Sequence, residues 1–216
     1  MEKGLIINNR AANDSWRMFH IMAEFVEGFD ALSVIGPAVS IFGSARVGPD
    51  SPIYAKAEEI ARLLVRNGFS IITGGGPGVM EAANKGAAEE GGTSIGLRIE
   101  LSKDEVYNDY SNLTLRFRYF FVRKVMFIKY AMAYVILPGG YGTMDECFEA
   151  LNLIVTEKSR TFPVIFVGTD YWQGLTDWMQ NIPVITGTLL PRDMEIFQIV
   201  DEPEEVVRAI KKLVIL

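Results

Sequence analysis

Along most of the chain, short apolar runs alternate with longer stretches in which apolar residues recur every three or four positions. The first pattern is that of a strand buried on both faces, the second that of an amphipathic helix. Residues 15–29 open with the helical period, with Trp16, Phe19, Met22, Ala23 and Val26 on one side. Residues 39–42 then read as a strand, 54–67 as a helix stopped by Gly68, 69–73 as a strand, and 79–90 as a helix stopped by Gly91-Gly92. A third strand is predicted at 93–99. After a polar stretch at 100–112 come a predicted strand at 113–120, a helix at 121–132, a strand at 134–137 and a helix at 143–156. A strand at 164–167 and helices at 171–180 and 203–213 complete the pattern. Such alternation predicts an α/β fold: a doubly wound, Rossmann-like parallel sheet covered on both faces. The chain then divides into an N-terminal helical extension, 1–34, and a single Rossmann-like domain, 35–216.

Three predicted strands run into glycine-rich turns: Gly43-Ser44-Ala45-Arg46, Gly74-Gly75-Gly76-Pro77-Gly78 and Pro138-Gly139-Gly140-Tyr141-Gly142-Thr143. In a parallel sheet all three should open on the carboxyl edge, where such folds bind ligands. Glycine lets an anion approach backbone N–H groups closely, and a helix start adds partial positive charge, so a phosphate suits these turns. The spacing is neither Gly-x-Gly-x-x-Gly nor a lysine-bearing P-loop, and a tight turn without a ligand is the other reading.

Thr143 and Glu146 have the spacing of a capping box, so Glu146 reads either as a helix cap or as a group available for chemistry. Asp145 beside it could answer the helix dipole. Arg123-Lys124 follow an apolar run at a predicted helix start. They lie about 100° apart on a helix, so at most one should aim straight into a site. A solvated helix face is the alternative for this pair.

Charge and composition narrow the chemistry. A formal net charge of −6 argues against a broad nucleic-acid-binding face, but not against a small phosphorylated ligand. One cysteine, Cys147, allows no intramolecular disulfide, and with the methionines it suits a reducing cytoplasm. No signal-peptide-like apolar region opens the sequence, and no apolar run reaches the roughly 18 residues of a membrane span. The only histidine, His20, falls in the first predicted helix. A two-histidine metal site within one chain is therefore excluded, and acid–base work must fall to carboxylates, Tyr, Lys, Cys or water. No metal or cofactor is expected. The aromatic and methionine surplus at 117–132 exceeds what one helix face buries, which predicts a homo-oligomer, most simply a dimer.

Together these segments resemble the LOG ("lonely guy") family of phosphoribohydrolases, long labelled as possible lysine decarboxylases. The resemblance runs through Gly43-Ser44-Ala45-Arg46, residues 74–82 with Glu81, the Arg123-Lys124 pair and residues 138–146. It implies a Rossmann-like nucleotide-binding catalytic domain that cleaves nucleoside 5′-monophosphates to a free base and ribose 5-phosphate. It further implies that Arg123 and Glu146 form the catalytic pair and that Gly139, Gly140, Gly142 and Thr143 hold the phosphate. Ser44, Gly75, Gly76, Glu81 and Lys124 would line the substrate pocket. Arg123 would keep Glu146 ionised, because an opposite charge lowers a carboxylate pKa. The implied substrate is AMP-like, or a cytokinin riboside monophosphate. Cytokinin-activating members often carry Met-His-x-Arg-Lys, whereas this chain has Phe120-Phe121-Val122-Arg123-Lys124, which points to a different branch. The competing function is a non-catalytic nucleotide or molybdenum-cofactor carrier of similar fold. A pyridoxal-phosphate decarboxylase would need a Schiff-base lysine in a much larger scaffold.

Overall fold

Seven strands build the sheet: β1 (Ala38–Phe42), β2 (Ser70–Thr73), β3 (Ser94–Ile99), β4 (Leu113–Phe117), β5 (Ala131–Ile136), β6 (Val164–Val167) and β7 (Phe197–Val200). They pair in parallel throughout, in the order β4-β3-β2-β1-β5-β6-β7. This is the expected doubly wound α/β architecture. The computed structural model describes residues 10–100 and 106–214; the first nine residues of the expected extension and part of the polar stretch, 101–105, lie outside them.

The helices are α1 (Arg10–Leu32), α2 (Pro52–Arg66), α3 (Val79–Glu89), α4 (Phe120–Tyr130), α5 (Tyr141–Val155), α6 (Thr169–Met179) and α7 (Pro203–Leu213). Alternation along the strands divides them into two layers. Val39 and Ile41 of β1 join Tyr54, Leu64, Val79 and Ile210 in the core beneath α2, α3 and α7. Ala38 and Phe42 face the other way, toward Leu32, Val122, Phe127, Cys147 and Trp172 of α1, α4, α5 and α6. Both cores are almost wholly apolar, so the hydrophobic effect fixes which helix covers which face. Local signals agree: Ser51 caps α2, its Oγ accepting from the Ile53 amide at 3.3 Å, and Pro52 follows at the first helical position.

The structure corrects several expected boundaries. α1 spans 10–32, not 15–29, and its predicted apolar stripe faces outward: Trp16 is 69% and Phe19 63% exposed, and Met22 and Val26 are also exposed. Ile21, Phe25 and Leu32 make the inward contacts instead. The strand expected at 113–120 ends at Phe117, and the helix expected to reach 132 stops at Tyr130. Ala131-Met132-Ala133 favours a helix by propensity, but Ala131 pairs with Ala38 and opens β5, so sheet pairing overrides local preference. The pattern also missed β7, a four-residue edge strand beside β6 that is only half-buried and gives no full period.

Candidate active site

The strand order reverses direction between β1 and β5, and the turns after β2, β1 and β5 stand side by side at the carboxyl edge there. Ser44 ties them together. Its amide donates to Pro138 O at 2.9 Å, and its carbonyl accepts from Val79 N at 3.0 Å. Glycine is required at two of these contacts. Gly78 has φ +70°, and a Cβ there would stand 2.4 Å from the Ser44 carbonyl oxygen; a Cβ on Gly139 would stand 2.1 Å from Thr143 Oγ1.

The first long glycine turn is shaped from within. Thr73 Oγ1 accepts from Gly75 N at 2.9 Å and donates to Asn84 Oδ1 at 2.6 Å. Asn108 donates through Nδ2 to Gly76 O and to Asn84 Oδ1, while its amide donates to Gly75 O. The Gly75 N–H is therefore already satisfied internally, unlike the outward-facing donor that the sequence suggested. Sequence reasoning missed Asn84 and Asn108: one lies in a helix pattern and the other in a polar stretch, and nothing local marks a buried network.

The second turn is different. Gly140 caps α5 without a side-chain hydrogen bond, and Tyr141 and Gly142 open the helix on the surface. The Thr143 and Met144 amides turn back to Gly140 O, each at 3.0 Å, so the Tyr141 and Gly142 amides are the first-turn donors left for an anion, and the helix dipole adds to their pull. Because α5 starts at Tyr141, Thr143 and Glu146 lie inside it and form no capping box. The helix-cap explanation of Glu146 is removed.

Glu146 is buried, 5% exposed. Its Oε1 lies 3.8 Å from Arg123 Nη2 and its Oε2 3.8 Å from Lys124 Nζ. Both cations of α4 thus reach the same carboxylate, where helix geometry had allowed only one, because the start of α4 faces α5. Lys124 also pairs with Asp145 Oδ2 at 2.9 Å and with Glu149. Burial works to lower the Lys124 pKa, but the bonds to Glu149 and Asp145 outweigh it and hold it above its usual value. The Arg123 guanidinium lies over the rings of Phe120 and Phe127, at 5.2 and 5.7 Å, and beneath Gly74, where a Cβ would be 3.8 Å from Nη1.

Glu146 itself departs from expectation. Burial pushes its pKa up to about 7, and Lys124 and Arg123 offset that only in part. The expected cation does not keep it fully ionised at neutral pH, since desolvation exceeds the Coulombic gain. Among other candidates, Cys147 is buried and its thiol is pushed up to about 12, so it is no nucleophile. His20 lies exposed on α1. Glu81, in the first turn of α3, accepts from Tyr54 Oη at 3.3 Å. Among the described residues, no group of three or more His, Cys, Asp or Glu side chains could hold a metal ion, and no helix is long and apolar enough to cross a membrane.

Residues 80–210, which include α4, the second turn and Glu146, match the family described as "Possible lysine decarboxylase". The chain belongs to this family. Relatives of this possible lysine decarboxylase family chain include the cytokinin riboside 5′-monophosphate phosphoribohydrolase of Mycobacterium tuberculosis. It is 27% identical over 170 residues, covering 74% of this chain and 88% of that protein. The pyrimidine/purine nucleotide 5′-monophosphate nucleosidase of Escherichia coli K12 is 28% identical over 179 residues, covering 74% of this chain but only 37% of the longer relative. Among solved structures, the molybdenum cofactor binding protein of Rippkaea orientalis has a TM-score of 0.62 at 21% identity, covering 83% of this chain and 98% of that one. At that identity the likeness concerns the fold.

Proposed function

We propose that the protein hydrolyses the N-glycosidic bond of a nucleoside 5′-monophosphate, giving a free base and ribose 5-phosphate. The observation that carries this reading is the buried Glu146 carboxylate, 3.8 Å from both Arg123 and Lys124 and one turn into the helix that opens on Gly140–Gly142. The Tyr141 and Gly142 amides at the start of α5 and the Thr143 hydroxyl hold the 5′-phosphate, with Gly139 allowing close approach. Ser44, Gly75, Gly76 and Glu81 line the adjoining wall.

The chemistry follows from the charges. Cleavage passes through an oxocarbenium-like state, and a carboxylate near the anomeric carbon stabilises it while orienting or deprotonating the attacking water. Arg123 and Lys124 keep the carboxylate in place and counter charge on the phosphate side. The relatives named for nucleotide cleavage support this reading. The substrate is AMP-like rather than a cytokinin nucleotide, because Phe120-Phe121-Val122 stands where cytokinin-activating members often carry Met-His-x. Incubation with a panel of nucleoside monophosphates, followed by chromatography for free base, tests it. Tight binding without release of base from any of them would favour a carrier instead.

The carboxylate role fixes the pH dependence. With a Glu146 pKa near 7, the active ionised form accumulates as pH rises. The value of kcat/KM should therefore climb through about pH 7 and level off above it, a limb distinct from the second ionisation of a phosphate monoester near about 6. A profile that falls through pH 7 would assign the protonated form instead.

The oligomer is a homodimer on the same reading. Trp16, Phe19, Phe120, Phe121 and Val125 expose apolar surface on α1 and α4. An open groove of about 580 Å³ follows the outer side of α5, floored by Tyr141, Met144 and Phe148, with Tyr141 94% exposed. Such surface on a lone chain marks an interface. Light scattering at micromolar concentration should give twice the 24.1 kDa of one chain, and a mass near 24.1 kDa would contradict the dimer.

A further inference from the structure

The α4 helix that carries Arg123 and Lys124 starts without help from its own sequence. Its cap residue, Tyr119, makes no side-chain hydrogen bond, and its first turn holds no acidic residue. The missing acceptor comes from α1, about ninety residues earlier. Glu24 Oε1 accepts from Arg118 N at 3.0 Å, and Oε2 accepts from Tyr119 N at 3.4 Å. One carboxylate thus accepts from two successive amides, that of the cap residue and the one before it, and places negative charge at the positive end of α4. Further contacts run along the same pair of helices. The Arg17 guanidinium lies 5.5 Å over the Tyr119 ring, Tyr130 Oη donates to Phe29 O at 3.1 Å, and Gly28 lets Met126 approach so closely that a Cβ there would stand 2.6 Å from its Cε. Glu24 lies outside the residues that match the family.

We propose that Glu24 is a positioning residue: as the remote cap of α4 it sets the pitch of that helix and so holds Arg123 and Lys124 against Glu146. The N-terminal helix is thereby a working part of the site and not an appendage. The inference rests on the cleavage reading above for its catalytic consequence, but its structural core can be tested without turnover.

Glu24→Ala removes both acceptors, whereas Glu24→Gln keeps one oxygen. In full-length protein, amide exchange at 118–124 should accelerate about tenfold in Glu24→Ala and less in Glu24→Gln. NMR titration of the Glu146 carboxyl should move to higher pH in Glu24→Ala as its cations drift away, with Glu24→Gln between it and the parent. On an active enzyme, kcat should fall about tenfold, roughly 1.4 kcal/mol, with KM little changed. An unchanged Glu146 titration in both variants overturns the proposal, even if melting temperature falls, because a merely structural contact would not move that carboxyl. If the parent cleaves no nucleotide, the cleavage reading fails alone and the titration still decides the role of Glu24.

Discussion

Glu146→Gln should abolish turnover while leaving nucleotide binding nearly intact. Gln keeps the shape and can still meet Arg123 and Lys124 through its amide oxygen, but it supplies no negative charge to an oxocarbenium-like centre. A loss of at least about a hundredfold in kcat is expected, roughly 2.7 kcal/mol of transition-state stabilisation. Retention of more than about a tenth of kcat, under roughly 1.4 kcal/mol, would return Glu146 to a structural role. The same substitution should show the opposite effect on stability. The folded pKa of about 7 lies above the ordinary carboxylate value of 4.5. The buried group therefore favours the fold fully below about pH 4.5, and that contribution is lost as pH rises through 7. Holding the charge above pH 7 costs on the order of 3 kcal/mol, and neutral Gln escapes that cost. Thermal melts at pH 5 and pH 8.5 should show Glu146→Gln gaining relative to the parent far more at the higher pH. A variant that is inactive yet more stable is the signature of a residue kept for function.

The 5′-phosphate should be indispensable: AMP is cleaved and adenosine hardly at all. The first amides of α5 open on the surface beside Gly139 and Gly140, with the Thr143 hydroxyl packed behind them. A phosphate meeting these donors gains charge-assisted hydrogen bonds. Glu146 lies one turn further along the same helix, so phosphate binding and placement of the ribose are mechanically linked. Binding energy from that remote group can then be used to hold the anomeric carbon against the carboxylate, and its loss should lower kcat as well as affinity. The expected difference in kcat/KM is at least about a hundredfold, roughly 2.7 kcal/mol. Values for AMP and adenosine within about threefold of each other, in one buffer, would remove the phosphate anchor and with it the roles of Gly139, Gly140, Gly142 and Thr143.

The layered parallel sheet and the three turns at its edge were legible in the sequence because their causes are local. Apolar runs such as Tyr134–Leu137 can only be buried strands or buried helix, and glycines at strand ends mark the sharp exits. Whether Arg123, Lys124 and Glu146 could meet was not legible in the same way. Helix periodicity separates Arg123 from Lys124 by about 100°, yet in the folded chain both side chains reach to 3.8 Å from Glu146. The charge state of Glu146 was read wrongly from its neighbours, because a sequence shows the cation but not the depth of burial that outweighs it.

By itself, then, the amino-acid order determined the period of each element, the parallel doubly wound class and the position of the glycine turns, all set by side-chain chemistry over a few residues. Only tertiary structure decided the rest. It buried Asn84 and Asn108 behind Gly75 and Gly76, turned the Gly75 amide inward, and removed Thr143 and Glu146 from the helix cap by starting α5 at Tyr141. It also laid Glu24 on the start of α4 across about ninety residues of chain. Those outcomes depend on how whole elements pack. Packing is governed by summed apolar burial across the sheet, a quantity that no short stretch of sequence contains.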